Sequence, residues 1–595
     1  TGKASIVITV PSSAPAVRLG AVRNRGPAYV SVATKAMTIA FRRGGKLKAS
    51  TTVALLPGAK GCTASSSGTT CRVTIALDAC PRSSNCYLAN VSTYDAVKCT
   101  SGKPRVCTIP PRAHVLSTEN RYPVGIFPGQ NTRLALALSG VPVSASIVPA
   151  DGATKLNASG AFDLLGLGAH VLAVEFFDAH GAAIVGVGSP TLSVTPPTGS
   201  LSPVTVTTPS AGANEITVTP PSAFNGTATA TFTVAPSFAG QATNGCLAPG
   251  AKCTPISVTV DMVKLLAISN GGLQLYALGD TSPVSTLDGG DYGLATDPAG
   301  NLYTGAFSAA NDADNLVVFS PPLTDSSVPT VLPNVSHGKP PARNFPGFPT
   351  PTPPQLTTVQ PVSGYGAVAS FYYPDSGISS TDLCSNTGCV QKRFSGGSAT
   401  SSAAANAEGD LAFGYTGSYC EVALGSGATI QPANAPPCAQ SLAFDPSGNV
   451  FFTIPNGYEV MEASKSSGYA TLTTISTGTS IPYRLTIDPS GNVLCAGQDA
   501  LSLDATLQYI AASTLSANQG GTVNPDRAIT IASPPSGQST ASEVMAIDSG
   551  LLYVEYSFRN GSTGNLATYS LPNLTQVGMT QTNEGVSANG IAIVP

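Results

Sequence analysis

Thirteen cysteines supply the densest reactive chemistry of this 595-residue chain. Twelve fall into close neighbours: Cys62/Cys71, Cys80/Cys86, Cys99/Cys107, Cys246/Cys253, Cys384/Cys389 and Cys420/Cys438. Thiols this close, in loops of Gly, Ser, Thr and Pro, suit local disulfides in an oxidising compartment. Spacing does not fix the pairing, and Cys80 with Cys99 stays open as an alternative. Cys495 is left over inside the apolar run Val493-Leu494-Cys495-Ala496 and is expected as a buried free thiol. The four histidines, His114, His170, His180 and His337, show no metal-ligand spacing. Patterns for zinc peptidases, serine hydrolases, phosphate loops and zinc-binding Cys pairs are absent. Asn311-Asp312-Ala313-Asp314-Asn315 is the better cation candidate, although a solvated loop accounts for it. No catalytic residue, cofactor or metal is therefore expected.

The remaining carboxylates lead back to the elements that carry them. Leu294-Ala295-Thr296-Asp297-Pro298-Ala299-Gly300-Asn301-Leu302-Tyr303 returns at 442–451 and at 485–494, with Asp445 and Asp488 in the place of Asp297. Worn copies lie at 407–412 and 545–553. Each reads as an apolar strand, a tight turn and a second strand. Pro presets φ, Gly takes positive φ, and Asp can accept from the turn backbone. Turn capping therefore accounts for Asp297, Asp445 and Asp488 better than calcium binding, which needs a run of alternating carboxylates. An all-strand unit recurring every few dozen residues points to a β-propeller blade.

These copies resemble the NHL-type repeats of bacterial propeller proteins, in which a strand ending in Asp-x-x-Gly-Asn, then a hydrophobic residue and an aromatic, recurs once per blade. The resemblance covers about the last half of the chain. It implies a fold more than a function, because such propellers serve as binding scaffolds as often as enzymes. Propeller lactonases of related shape hold a central metal with acidic and amide side chains. Asp288, Asp291, Glu408 and Glu543 lie near blade starts, but their spacing does not show that they converge.

Composition narrows the class. Charged residues make up 10%, well below the usual quarter, while hydrophobic content is ordinary at 42%. With 61 Gly and 49 Pro the chain reads as turn-rich, all-β and neutral-surfaced. Low charge leaves little repulsion between copies. The net charge of −3 implies no basic face, so no nucleic-acid partner is expected. No apolar run spans a bilayer, so no transmembrane segment is expected. The first residue is Thr1 rather than Met. With the cysteines, this leads us to expect a processed protein that is extracellular or at the cell surface.

In chain order, residues 1–27 read as a strand and a linker. Ala4, Ile6, Ile8 and Val10 share one face of the strand by period-two alternation. Residues 28–141 read as an Ig-like β-sandwich, with strands expected at 28–32, 36–41, 51–55, 71–75 and 88–94. Residues 142–197 read as a second Ig-like module. The stretch Ala89-Asn90-Val91-Ser92-Thr93-Tyr94-Asp95-Ala96 is echoed by Leu172-Ala173-Val174-Glu175-Phe176-Phe177-Asp178-Ala179. Residues 198–262 form a small third β module or complete the second. Residues 263–595 form the propeller, with seven blades, or six if the unit near 363 is misread. The lone strand at 590–594 should complete the first blade, whose own first strand is missing. The Pro-rich stretch 339–354 should be an extended surface loop.

The expected function is that of a secreted or cell-surface structural protein, a self-assembling filament subunit. The strand at 4–10 would leave its own molecule and complete a sheet in a neighbour, so the main partner is a second copy of the chain. The alternative is a propeller head for a glycan or other extracellular ligand, or a propeller hydrolase or lactonase.

Overall fold

The computed structural model describes the chain except residues 13–29, 81–84, 101–105, 137, 185–190, 200–203, 208–213, 222–227, 238–254, 270, 271, 279, 281, 289–291, 309–312, 333–354, 363–365, 374–377, 397–399, 407, 409, 416–419, 424–428, 431–440, 536, 537, 559–563 and 583–589. The linker, the Pro-rich stretch, His337, and Cys246, Cys253 and Cys438 thus lie outside the described residues, as do Asp291, Asn311 and Asp312. The chain is all-β, with one short α-helix, Ala512–Ala517, and two three-residue 3₁₀ helices, Pro455–Gly457 and Lys465–Ser467, among the described residues. It divides into two units, the first comprising 1–163, 169–220 and 229–261, and the second 164–168, 221–228 and 262–595.

In the first unit, two sheets face each other around one apolar core. One contains the strands Gly2–Pro11, Cys62–Ser65, Gly68–Leu77 and Asn131–Arg133; the other contains Ala36–Arg43, Lys46–Ala54, Tyr87–Tyr94, Val115–Val124 and Ser139–Gly140. The strand Gly2–Pro11 runs antiparallel to Gly68–Leu77, with Ala4 opposite Ile75 and Ile8 opposite Cys71, and parallel to Asn131–Arg133. Ala4, Ile6, Ile8 and Val10 enter the core beside Met37, Ile39, Phe41 and Val91. Period-two alternation thus sets which side of this strand is dry. The strand expected at 28–32 does not form over its described part: Ser31 instead holds a turn, accepting from the Ala33 and Thr34 backbone N–H groups.

A second pair of sheets follows. Residues 198–262 do not make a sheet of their own. Thr205–Thr207 and Glu215–Thr219 extend the sheet of Ser144–Pro149 and His170–Phe177, while Ala228–Ser237 and Ile256–Val263 join Thr154–Leu156, Phe162–Leu165 and Thr191–Val194. Pairing by burial has interleaved the two stretches that the Pro196-Pro197 seam sets apart in the sequence.

Among the described residues the second unit holds seven sheets of four or five strands each, antiparallel except where Thr522–Val523 runs parallel to Leu472–Ser476. Four are built from strands that follow one another along the chain, whereas Thr522–Val523 joins the sheet of Leu442–Phe444 through Leu472–Ser476 and is skipped by the sheet of Ser480–Ile487, Val493–Asp499, Ala505–Ile510 and Arg527–Ala532. The first sheet of the unit is Leu265–Ser269, Leu273–Ala277 and Ser285–Leu287, and it takes its fourth strand from Gly590–Val594. Leu265 lies opposite Val594 and Ser269 opposite Gly590, the pairing expected between the two ends of this region. The strands on either side of 363–365, Gln355–Pro361 and Ala367–Tyr373, belong to one four-stranded sheet that runs through Gly388–Gly396.

The repeat turns have a shared geometry. In the first, the Gly300 N–H donates to the Asp297 carbonyl and the Asp297 N–H to the Asn301 carbonyl. Gly300, Gly448 and Gly491 have φ of 80°, 83° and 83°. This is a three-residue hairpin loop, a tight turn closed by a left-handed residue that only glycine adopts cheaply.

Candidate functional sites

The structure joins Cys62 to Cys71, Cys80 to Cys86, Cys99 to Cys107 and Cys384 to Cys389. Three of these pairs sit directly opposite each other on antiparallel strands. Cys80 pairs with Cys86 rather than Cys99. Cys420 begins the strand Cys420–Ala423, and its expected partner Cys438 is outside the described residues. Cys495 is a buried free thiol, and burial, helped by the nearby Glu543, pushes its ionisation up.

The turn carboxylates are occupied locally. Asp297 Oδ1 accepts from the Ala299 and Asn301 backbone N–H groups, and Oδ2 from Asn301 Nδ2 and Tyr303 Oη. Burial, reinforced by this carboxylate, pushes the Tyr303 phenol up. Asp488 accepts from the Ser490 and Asn492 N–H groups and from Asn492 Nδ2. Asp445 accepts from the Asn449 N–H and Nδ2. In the worn copy the roles invert: Asn406 Oδ1 accepts from the Glu408 and Asp410 N–H groups. Asp410 and Glu408 then share Lys465, whose ammonium they hold in its charged form.

One cavity of about 740 Å³ lies in the second unit, lined by Thr296, Gln360, Ala404, Ala443, Thr486, Ala546 and Ala592 together with neighbouring residues. Each of these seven comes from, or directly follows within the repeat, a terminal strand of a different sheet. The wall is largely apolar, with the carboxylates of Glu408, Asp445 and Asp488 among its residues. Of the acids noted near blade starts, Glu408 reaches this cavity, already engaged with Lys465. Asp288 is exposed, and Glu543 is buried on the strand Thr540–Asp548. Glu543 is held protonated more readily than usual by burial, opposed by Arg484.

Elsewhere the structure assembles a group that spacing conceals. His114 Nδ1 and His180 Nε2 each lie 2.8 Å from Asp95 Oδ2. The sequence spacing gives no sign of this: 66 residues separate the two histidines in the chain, whereas their rings meet edge to face at 6.3 Å. Asp95 ends the strand Tyr87–Tyr94, and Asp178 ends its echo, His170–Phe177. Asp178 Oδ1 accepts from the His180 and Ala182 N–H groups and so shapes the turn that carries His180. The Cys99–Cys107 disulfide closes the excursion between Asp95 and His114, and the Ala113 N–H to Pro110 carbonyl bond turns the chain into His114. The His114 N–H occupies Asp95 Oδ1 at 2.8 Å, which leaves Oδ2 to the two rings. Asp95 is buried, whereas the histidine side chains are 61% and 44% exposed. Burial raises the Asp95 carboxyl, but the bonds from His114 and His180 outweigh this and hold it below its ordinary value. Among the described residues this is the one group of three His, Cys, Asp or Glu side chains poised to share an ion. His170, by contrast, is buried and lies 3.3 Å from Thr154 Oγ1. The signal available in the sequence was the echo: its second Asp is followed two residues later by a histidine.

The fold is that of an all-β protein similar to solved β-propeller proteins. The similarities are faint. Hydrazine synthase of Kuenenia stuttgartiensis is 11% identical over 35% of this chain, with a TM-score of 0.27, and the chain spans 60% of its length. YCF48, solved with a D1 peptide, is 10% identical over 52% of this chain and 88% of its own, with a TM-score of 0.33. A gluconolactonase-like protein is 10% identical over 50% of this chain and 91% of its own, with a TM-score of 0.24. No protein family and no curated protein matches the chain. Among the described residues no helix is long and apolar enough to cross a membrane.

Proposed function

We propose that the protein is a non-enzymatic structural protein, secreted or at the cell surface, in which Ig-like sandwiches are followed by a seven-bladed, NHL-like propeller. Copies join head to tail by exchanging the strand Gly2–Pro11. The observation that carries this reading is the slot this strand fills. It lies between two strands of one sheet, and it delivers four apolar side chains to the core. Burying each larger one is worth roughly 1.5–3 kcal/mol, and the backbone ladder adds register. An identical slot in a neighbour accepts an identical strand, and an exchange in which each copy donates to the next does not close. The four disulfides support an oxidising location.

The test uses Thr9 and Thr70, which face each other with their hydroxyls 3.0 Å apart. In Thr9→Cys/Thr70→Cys, oxidised in native material, exchange gives a covalent ladder on a non-reducing denaturing gel. Monomer alone means that the strand stays in its own molecule and the proposal fails. Deleting residues 1–12 should leave monomers that bind a synthetic 1–12 peptide.

The second reading, a propeller head for a glycan or other extracellular ligand, is favoured by the 740 Å³ cavity. A lactonase-type centre is less well supported, because Asp445, Asp488 and Glu408 at that cavity are already engaged by turns or by Lys465. Saturable binding of an oligosaccharide that is lost on Thr486→Arg would support the binding head.

A further inference from the structure

We propose that Asp95, His114 and His180 form a binding site for a divalent late transition ion such as Zn²⁺, with Asp95 Oδ2, His114 Nδ1 and His180 Nε2 as ligands. Two imidazoles and a carboxylate suit Zn²⁺, Ni²⁺ or Cu²⁺ better than Ca²⁺ or Mg²⁺, which prefer all-oxygen shells. Three protein ligands with exposed rings leave an outward position for water, the pattern of an open site. The carboxylate is prepared for the role. Its Oδ1 is held by the His114 backbone, so Oδ2 is fixed in direction, as supporting bonds fix metal ligands generally. Asp178 does the same for the His180 turn.

The distances are those of the ion-free state. Each ring N–H donates to Oδ2 at 2.8 Å. Ligand atoms around a tetrahedral Zn²⁺ lie about 3.3 Å apart, so the group opens by roughly half an ångström on binding. Each ring then presents a lone pair where it held a proton, with its proton on the other ring nitrogen. His180 belongs to the turn after His170–Phe177, whereas Asp95 and His114 flank strands of the preceding pair of sheets. The ion would therefore cross-link the two pairs of sheets in the first unit.

Equilibrium dialysis of the full chain against Zn²⁺, after EDTA treatment, tests the site. Wild type should take up one ion per chain. His180→Ala and Asp95→Asn should each lose at least about tenfold in affinity, and His180→Cys should regain binding. A Cu²⁺ spectrum by electron paramagnetic resonance adds a readout that stability does not move: coupling to two imidazole nitrogens in wild type and to one in His180→Ala. Should Asp95→Asn fail to fold, the two exposed histidines, substituted singly, carry the test. Uptake by the variants equal to wild type overturns the proposal, as does the absence of uptake by wild type. Loss of stability in the variants with no change in uptake also overturns it and leaves a hydrogen-bonded latch.

Discussion

Asp297 and Asp95 are both buried carboxylates at strand ends, yet they are used in opposite ways. Asp297 is satisfied within six residues of itself, by the turn it caps and by Tyr303. Asp95 gives Oδ1 to a backbone N–H 19 residues away and Oδ2 to two rings, one of them 85 residues away. A carboxylate consumed by its own turn makes architecture and repeats with it. One that gathers exposed rings from distant loops makes a place where something else can bind.

Substitutions can break or sharpen this contrast. The largest effect is expected from Asp297→Ala, which strips four bonds at once, three of them buried. It should cost the second unit about 3 kcal/mol, seen by calorimetry as a lower transition temperature, with zinc uptake unchanged. Asp488→Ala removes three bonds at a more exposed turn and should cost about 1–2 kcal/mol. An equal or larger loss than at Asp297 would mean that burial does not rank these turns.

A third test uses pH. Asp499 caps another turn, and its hydrogen bonds from Thr479 and from the Ser502 and Leu501 backbone push it down to about 2. Its folded value lies below the unfolded one of about 3.9. Its contribution is therefore complete above pH 4 and is lost as pH falls towards 2. The stability gap between wild type and Asp499→Asn, followed by denaturant titration, should shrink across that window. A gap that is constant from pH 5 to pH 2 would refute the assignment. The smallest effect is expected from Asp95→Asn in EDTA. Asn keeps the Oδ1 acceptor, and bonds to exposed histidines are worth about 1 kcal/mol or less. A loss as large as that at Asp297 would show that Asp95 is architectural after all.

The same contrast explains what could be read from the chain. The hairpin turns are legible because Asp, Pro, Gly and Asn act on their immediate neighbours, so the physics is written in consecutive letters. The inward face of Ala4, Ile6, Ile8 and Val10 is legible because alternation alone sets it. The pairing of Leu265–Ser269 with Gly590–Val594 is long-range, but each end visibly lacked a neighbour. His114 and His180 carry only the fainter mark of the echo, which sets His180 two residues after Asp178. Their meeting depends on how two pairs of sheets are packed, and no local pattern encodes that. The strands of 198–262 were obscured for the same reason: Ala228–Ser237 pairs with Thr191–Val194 across a seam that looks like a boundary.

The dependence of Leu265–Ser269 on Gly590–Val594 also sets a clock on biosynthesis. The ribosome makes the first of these strands early and its partner on the order of half a minute later. Until then the nascent chain carries an uncovered sheet edge, and the later sheets accumulate beside a seam that has not yet been sewn. During that interval the burden falls on chaperones, which must shield the edge from neighbouring nascent chains.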